Sequence, residues 1–166
     1  LMIVERAVVS TLLLTTALGG YSFHKFQESR LTRRFQRRGV HEYRAALPQA
    51  DIRYWAGGKG DGTPVLLIHG FGADALWGWA MQDQLAERHF LIAPDLLWFG
   101  ESFSTVPDYS TAFQAKMMVD LLDHLAIEKV DIVGISYGGF ITLELAHQWP
   151  ERVRSVTVVD SPGHTY

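Results

Sequence analysis

The sequence predicts an α/β fold, a mostly parallel sheet with helices on both faces, preceded by an N-terminal apolar helix. Three observations predict it. Beyond about residue 40, short β-rich runs alternate with longer helical ones, the signature of strands joined by crossover helices. The later β-rich runs, such as Val130 to Gly134, are continuously apolar, as strands buried on both faces require. Ahead of them, Ala7 to Phe23 carries no charge over 17 residues.

That uncharged run sits at the short end of what crosses a bilayer. Lys25, Arg30, Arg33, Arg34, Arg37 and Arg38 follow it, and positive charge flanking a span stays on the cytoplasmic side. Residues 1–38 therefore read as an apolar anchor with a basic juxtamembrane segment, contacting the membrane through residues 7–23 and leaving residues 39–166 on the cytoplasmic side. A cleaved signal, with a secreted or periplasmic body, is the alternative. It is weakened because Glu5 and Arg6 cancel ahead of the run and no small-x-small site follows. A merely buried or interfacial helix is the third reading. Residues 1–50 hold eight Lys or Arg against three acids, whereas residues 51–166 hold seven against fifteen. An acidic body makes nucleic acid a poor partner. The chain has no cysteine, which excludes disulfides and thiolate metal sites.

In chain order, strands are expected near Val40 to Ala45, Asp51 to Ala56, Val65 to His69, Phe90 to Pro94, Val130 to Gly134 and Ser155 to Asp160. Helices are expected near Ala75 to Arg88, Ala112 to Leu125 and Gly139 to Trp149. Thr111 and Gln114 suit a capping pair for the middle helix, Phe113, Met117, Leu121 and Leu125 its buried stripe, and Pro150 follows the end of the last. The glycines of Gly57 to Gly62 make a turn and lack the Gly-Lys-Ser/Thr ending of a phosphate loop.

The chemistry concentrates at Gly134-Ile135-Ser136-Tyr137-Gly138. A serine between glycines, after a buried strand and before a helix, sits on a turn so tight that side chains two positions either side would strike backbone. Its hydroxyl then stands at the sheet edge as a candidate catalytic nucleophile, with the backbone N–H of Tyr137 as one oxyanion donor. The second donor must come from another loop on that edge. Leu66-Leu67-Ile68-His69-Gly70-Phe71-Gly72 supplies it in the N–H of Phe71. His69 itself reads as a structural residue that holds the loop by hydrogen bonds, not as a base.

These motifs resemble the α/β-hydrolase superfamily over nearly all of residues 40–166. Trp77 and Trp79, and Asp95-Leu96-Leu97-Trp98-Phe99-Gly100-Glu101-Ser102, fit it as well, although Leu97-Trp98 stands where the superfamily commonly shows Pro-Gly. That departure, with Phe113-Gln114-Ala115, resembles membrane-anchored monoacylglycerol-lipase-like serine hydrolases. The resemblance implies hydrolysis of carboxylic, lipid-like esters through an acyl-serine intermediate, with a small-molecule ester as substrate and no cofactor or metal. It makes Asp95 and Ser102 loop-forming residues. Serine at 136 in place of aspartate argues against haloalkane dehalogenase and epoxide hydrolase chemistry. Carbon–carbon bond hydrolysis or perhydrolysis on the same fold is a second reading. Trp77, Trp79, Trp98, Phe71 and Phe103 are candidates for an acyl pocket.

In this fold the acid and the histidine follow the serine in chain order, and only 30 residues follow Ser136. Asp160 is the weaker candidate for the acid, and His164 completes the order on an untethered terminus. Leu1 in place of methionine and the short C-terminal remainder suggest a truncated hydrolase domain, nearly inert by itself because an unassisted serine is a poor nucleophile. A non-catalytic binding derivative that kept the turn and lost its base is the third reading. Self-association is left open by the sequence.

Overall fold

The computed structural model describes residues 2–161, with side chains from Gly20 onward. Helix α1 (Met2–Arg37) leads into the antiparallel strands β1 (Val40–Ala46) and β2 (Ala50–Gly57). Then come β3 (Val65–Ile68), the short helix α2 (Ala75–Gly78), a 3₁₀ helix (Asp83–Glu87), β4 (Leu91–Pro94) and β5 (Phe103–Ser104). Helix α3 (Thr111–His124), β6 (Val130–Ile135), α4 (Tyr137–Gln148), a 3₁₀ turn (Pro150–Arg152) and β7 (Val153–Val159) complete the described chain. The strand order is β1-β2-β4-β3-β6-β7, with β5 beside β2. Strands β4, β3, β6 and β7 run parallel and β2 runs antiparallel to β4.

The order reverses at β3. The chain moves from β3 to β4 on one side and to β6 on the other, and this switch opens a crevice at the strands' carboxyl ends, where such sheets bind ligands.

Alternation along each strand builds two cores. Leu66 and Ile68 face a layer made by α3 and α4, with Met117, Met118, Leu121, Ile141 and Leu145. Val65 and Leu67 face the other way, toward Phe35, Trp55, Leu76 and Trp79. Across the first face, Ile92, Leu66 and Ile132 lie in register on three neighbouring strands. The row continues into Val156 of β7, which is 39% exposed at the sheet edge.

Helix α1 does not stand apart from the body. Phe35 is 1% exposed and packs edge-on against Trp55, so the end of α1 roofs the second core. Farther back, the His24 ring stacks on Trp77 just after the β3 loop. The fourteen residues from His24 to Arg37 rise about 20 Å at helical pitch, enough to cross one sheet face from edge to edge. No helix among the described residues is long and apolar enough to cross a membrane. The expected crossing helix over residues 7–23 is corrected accordingly. Its uncharged run is diluted by serine, threonine and glycine and closes at Lys25.

Two further expectations are corrected. The single helix foreseen over 75–88 is broken into α2 and the 3₁₀ helix, because Gly78 and Trp79 end the first turn against the β3 loop. The cap of α3 is Ser110, whose Oγ accepts from the Phe113 amide at 3.1 Å, and Gln114 points inward instead. Leu66 is fully buried at the centre of the three-strand row. Its replacement in Leu66→Ala is expected to cost about 2–5 kcal/mol, as cavity-forming core truncations do, measured as a lowered urea midpoint.

Candidate active site

Strand β6 ends by delivering Ser136 in a conformation few L-residues adopt, φ 51° and ψ −117°. The bend is imposed from both sides. A Cβ on Gly134 would lie 2.2 Å from the Thr142 Oγ1 and 2.4 Å from the Gly138 carbonyl oxygen. One on Gly138 would lie 2.2 Å from the carbonyl oxygen of Ile68 and 2.5 Å from that of His69. Only bare backbone lets α4 start this close to the end of β3. The turn is tied by Ser136 N–H donating to Val159 O and Gly139 N–H donating to Ser136 O, each at 2.9 Å. The Ser136 side chain makes no capping bond to the helix, and the residue is half-buried. A hydroxyl whose purpose was to cap α4 would be bonded to its first turn.

The loop after β3 lies directly against this serine. A Cβ on Gly70 would be 3.4 Å from Ser136 Cβ and 4.0 Å from its Oγ. His69 is fully buried, and both ring nitrogens are occupied. The Leu96 N–H donates to Nε2 at 3.0 Å, so the proton resides on Nδ1, which donates to the Gly70 carbonyl at 2.8 Å. Tyr137 is the first residue of α4, where backbone N–H groups have no partner inside the helix. Phe71 is 78% exposed, and its ring meets those of Phe99 and Tyr137 edge-on at 5.2 and 6.0 Å. Burial raises the Tyr137 phenol above its ordinary value.

Residues 63–166 match the family model for the alpha/beta hydrolase fold. The chain belongs to this family. Among curated relatives, an uncharacterised Mycobacterium tuberculosis protein is 41% identical over 130 residues, covering 78% of this chain and 36% of that protein. A 2-hydroxymuconate semialdehyde hydrolase from a Pseudomonas species is 38% identical over 122 residues, covering 70% of this chain and 43% of the enzyme. Among solved structures, one described as a membrane phospholipase A and bacterial virulence factor is similar at a TM-score of 0.74 and 28% identity, covering 97% of this chain and 53% of that one. The chain thus spans about half or less of the proteins it matches.

In this α/β-hydrolase fold the loops around Ser136 are locked by a buried polar belt, in which Asp95 and Ser102 are the loop-forming residues that the resemblance implies, while the parts of Arg53 and Gln114 were not foreseen. Asp95 is fully buried, accepting from the Ala75 amide at 2.8 Å, Arg53 Nε at 2.7 Å and the Glu101 amide at 2.8 Å. Burial opposes charge on Arg53, but the hydrogen bond and charge of Asp95 outweigh it and hold the guanidinium above its ordinary value. Ser102 Oγ accepts from the Arg53 amide at 2.9 Å. Gln114 clamps both backbone groups of Leu97 at 3.0 Å, which steadies Trp98 at φ 71° where a glycine would be unstrained. An arginine at a buried position in the middle of β2 was the available signal.

The other candidates are not gathered here. Asp160 is exposed at the end of β7 with φ 48°, and none of the described acids or histidines hydrogen-bonds Ser136 Oγ. His164 lies outside the described residues. His41, His89, His124 and His147 are exposed on other parts of the surface. Trp79 is core at 4% exposure, the Trp98 ring lies tilted against Tyr109, and Phe103 is exposed on β5. Trp77, with His24, Gly72, Ala73, Asp74 and Gly100, lines a cavity of about 320 Å³ beside the Phe71 loop.

Two outcomes follow from this geometry. Gly138→Ala forces a methyl group into two carbonyl oxygens and is expected to destabilise by about 3 kcal/mol or more, at the upper end of overpacking, read as a lowered urea midpoint. His69 is held below its ordinary 6.5, chiefly by burial, while the Gly70 carbonyl and the charges of Asp95 and Asp74 partly oppose the shift. As pH falls through 6.5 the unfolded chain takes up a proton that the folded chain refuses, so stability falls with pH in that window. His69→Gln is expected to remove this slope in urea midpoints measured across it.

Proposed function

We propose that this chain carries the nucleophile-bearing part of a serine hydrolase acting on carboxylic esters, including lipid-like ones. The observation that carries the reading is Ser136 itself, held at a strained corner with its hydroxyl uncommitted to capping and pressed against the His69-Gly70-Phe71 loop. Ser136 Oγ attacks the ester carbonyl, its proton passes to a base, and the amides of Phe71 and Tyr137 bind the oxyanion. The C–O bond then breaks, the alcohol leaves with the proton, and water hydrolyses the acyl-serine. The base is a histidine, oriented by an acid, that the described segment does not contain, and the greater length of the relatives leaves room for both.

Action at a membrane surface is part of the same proposal. The similar membrane phospholipase A spans nearly the whole of this chain, and α1 presents basic residues alongside exposed Tyr21, Phe23 and Phe26. A second reading, carbon–carbon bond hydrolysis, is favoured by the 38% identity to the 2-hydroxymuconate semialdehyde hydrolase. Comparing kcat/KM for a p-nitrophenyl ester with that for a vinylogous diketone decides between them.

In the intact gene product, a fluorophosphonate probe is expected to label Ser136, with the label recovered in the membrane fraction of the host cells. Ser136→Ala should abolish labelling and lower kcat on the order of 10⁶-fold, the scale of loss when an activated serine is removed. Undiminished labelling of the variant would overturn the reading.

A further inference from the structure

At the opposite edge of the sheet from Ser136, the last turns of α1 and the 3₁₀ helix Asp83–Glu87 enclose a cavity of about 520 Å³. Its place follows from register. Val40, three residues after α1, pairs with Gly57, and Gly57 pairs with Leu91, the first residue of β4. The cavity is lined by Arg34, Arg37, Arg38, Met81, Asp83 and Gln84. Leu31 and Phe35 turn one stripe of α1 into the core, and the arginines at 34, 37 and 38 form the neighbouring stripe that faces the cavity.

The three guanidiniums are not equivalent. Asp83, its side chain 7% exposed, pairs with Arg34 and with Arg38, whose Nε is 3.5 Å away. Arg38 also pairs with Glu87. Burial alone would raise the Asp83 carboxyl, but the hydrogen bonds and charges of Arg34 and Arg38 together outweigh it and hold the group below its ordinary range. Arg37 is exposed and forms no ion pair with a described carboxylate. The lining therefore presents three cations to one anion, with two forks held in place from behind by Asp83.

A plainer role for these arginines is to offset the negative end of the α1 dipole. That role needs neither a cavity nor an unpaired third guanidinium facing it. We propose that this cavity binds a phosphate group, carried by a small phosphate ester or by a phospholipid headgroup. A carboxylate satisfies a single fork, whereas a phosphate offers enough oxygens for several guanidiniums at once, and the volume leaves room for an attached polar group. The site is separate from Ser136 and does not depend on the ester reading.

The test uses the full chain and three probes: inorganic phosphate, glycerol 3-phosphate, and phosphatidylglycerol vesicles set against phosphatidylcholine vesicles. Saturable binding of at least one probe is expected. Arg37→Gln should weaken it about tenfold, the loss of a charge-assisted fork, and circular dichroism should show the fold unchanged because Arg37 holds no structural ion pair. Arg33→Gln removes the same charge from an exposed position outside the cavity and should change affinity by no more than about twofold. Binding to the soluble probes identifies a phosphate ester as the ligand, and binding to the anionic vesicles alone identifies a headgroup. The proposal is overturned if no probe binds, or if Arg33→Gln weakens binding as much as Arg37→Gln, which would mean diffuse attraction to a basic helix.

Discussion

The structure depends on one close approach, that of α4 to the end of β3 across Gly138. The carbonyls of Ile68 and His69 occupy the space that any side chain at 138 would need. With that contact made, the helix must begin immediately after β6, and Ser136 has no choice but the left-handed region of backbone space. Such strain persists only where the surroundings overdetermine it. Here they do so through β7, which accepts the Ser136 amide, and through the first turn of α4. The uncommon conformation is thus a consequence of packing two elements at backbone distance, and a hydroxyl left out of the helix cap is a consequence of the conformation.

A second set of contacts makes the opposing loop equally rigid. His69 reaches from the β3 loop to the Leu96 amide, Asp95 reaches back to Ala75 at the start of α2, and Gln114 holds Leu97 from α3. The loops after β3 and β4 are thereby one unit. Buried ion pairs such as Arg53 with Asp95 contribute little net stability against apolar replacements, since desolvation offsets the attraction. Their value here is geometric. They leave the Gly70-Phe71 backbone in one place relative to Ser136, as the proposed oxyanion donors would require.

The strands were legible because period-2 burial and continuous apolar runs are local properties, and the turn at Ser136 was legible because steric exclusion writes itself as glycine spacing. What could not be read depends on partners distant in sequence. Strand β5 is two residues long and exists only through its pairing with β2. The break between α2 and the 3₁₀ helix arises where Gly78 meets the His69 side chain, a contact invisible from a run of residues with fair helical patterning. Gln114 read as a capping residue because it stands three positions after Thr111, yet its amide matches the two backbone groups that a Leu97-Trp98 turn leaves without partners. The parts that Arg53 and Gln114 take in the belt around Asp95 escaped for the same reason. Its members come from β2, α3 and the loops after β4 and before β5, and only the fold brings them together.

The N-terminal helix was the largest departure, and its physics explains why. Read as composition, residues 1–38 separate from the body by charge. Read as a helix, the basic positions alternate with Leu31 and Phe35 at core spacing, so one element presents an apolar stripe inward and cations beside it. Burying Phe35 against Trp55 contributes about 1.5–3 kcal/mol, more than the exposed Arg38–Glu87 pair at the same helix end supplies. That apolar contact decides where α1 lies, and the position of the arginines over Asp83 follows from it. The same rod brings His24 to Trp77 near the Ser136 end of the sheet. An element that composition marks as a detachable leader is therefore a wall of the second core, in contact with both ends of the sheet.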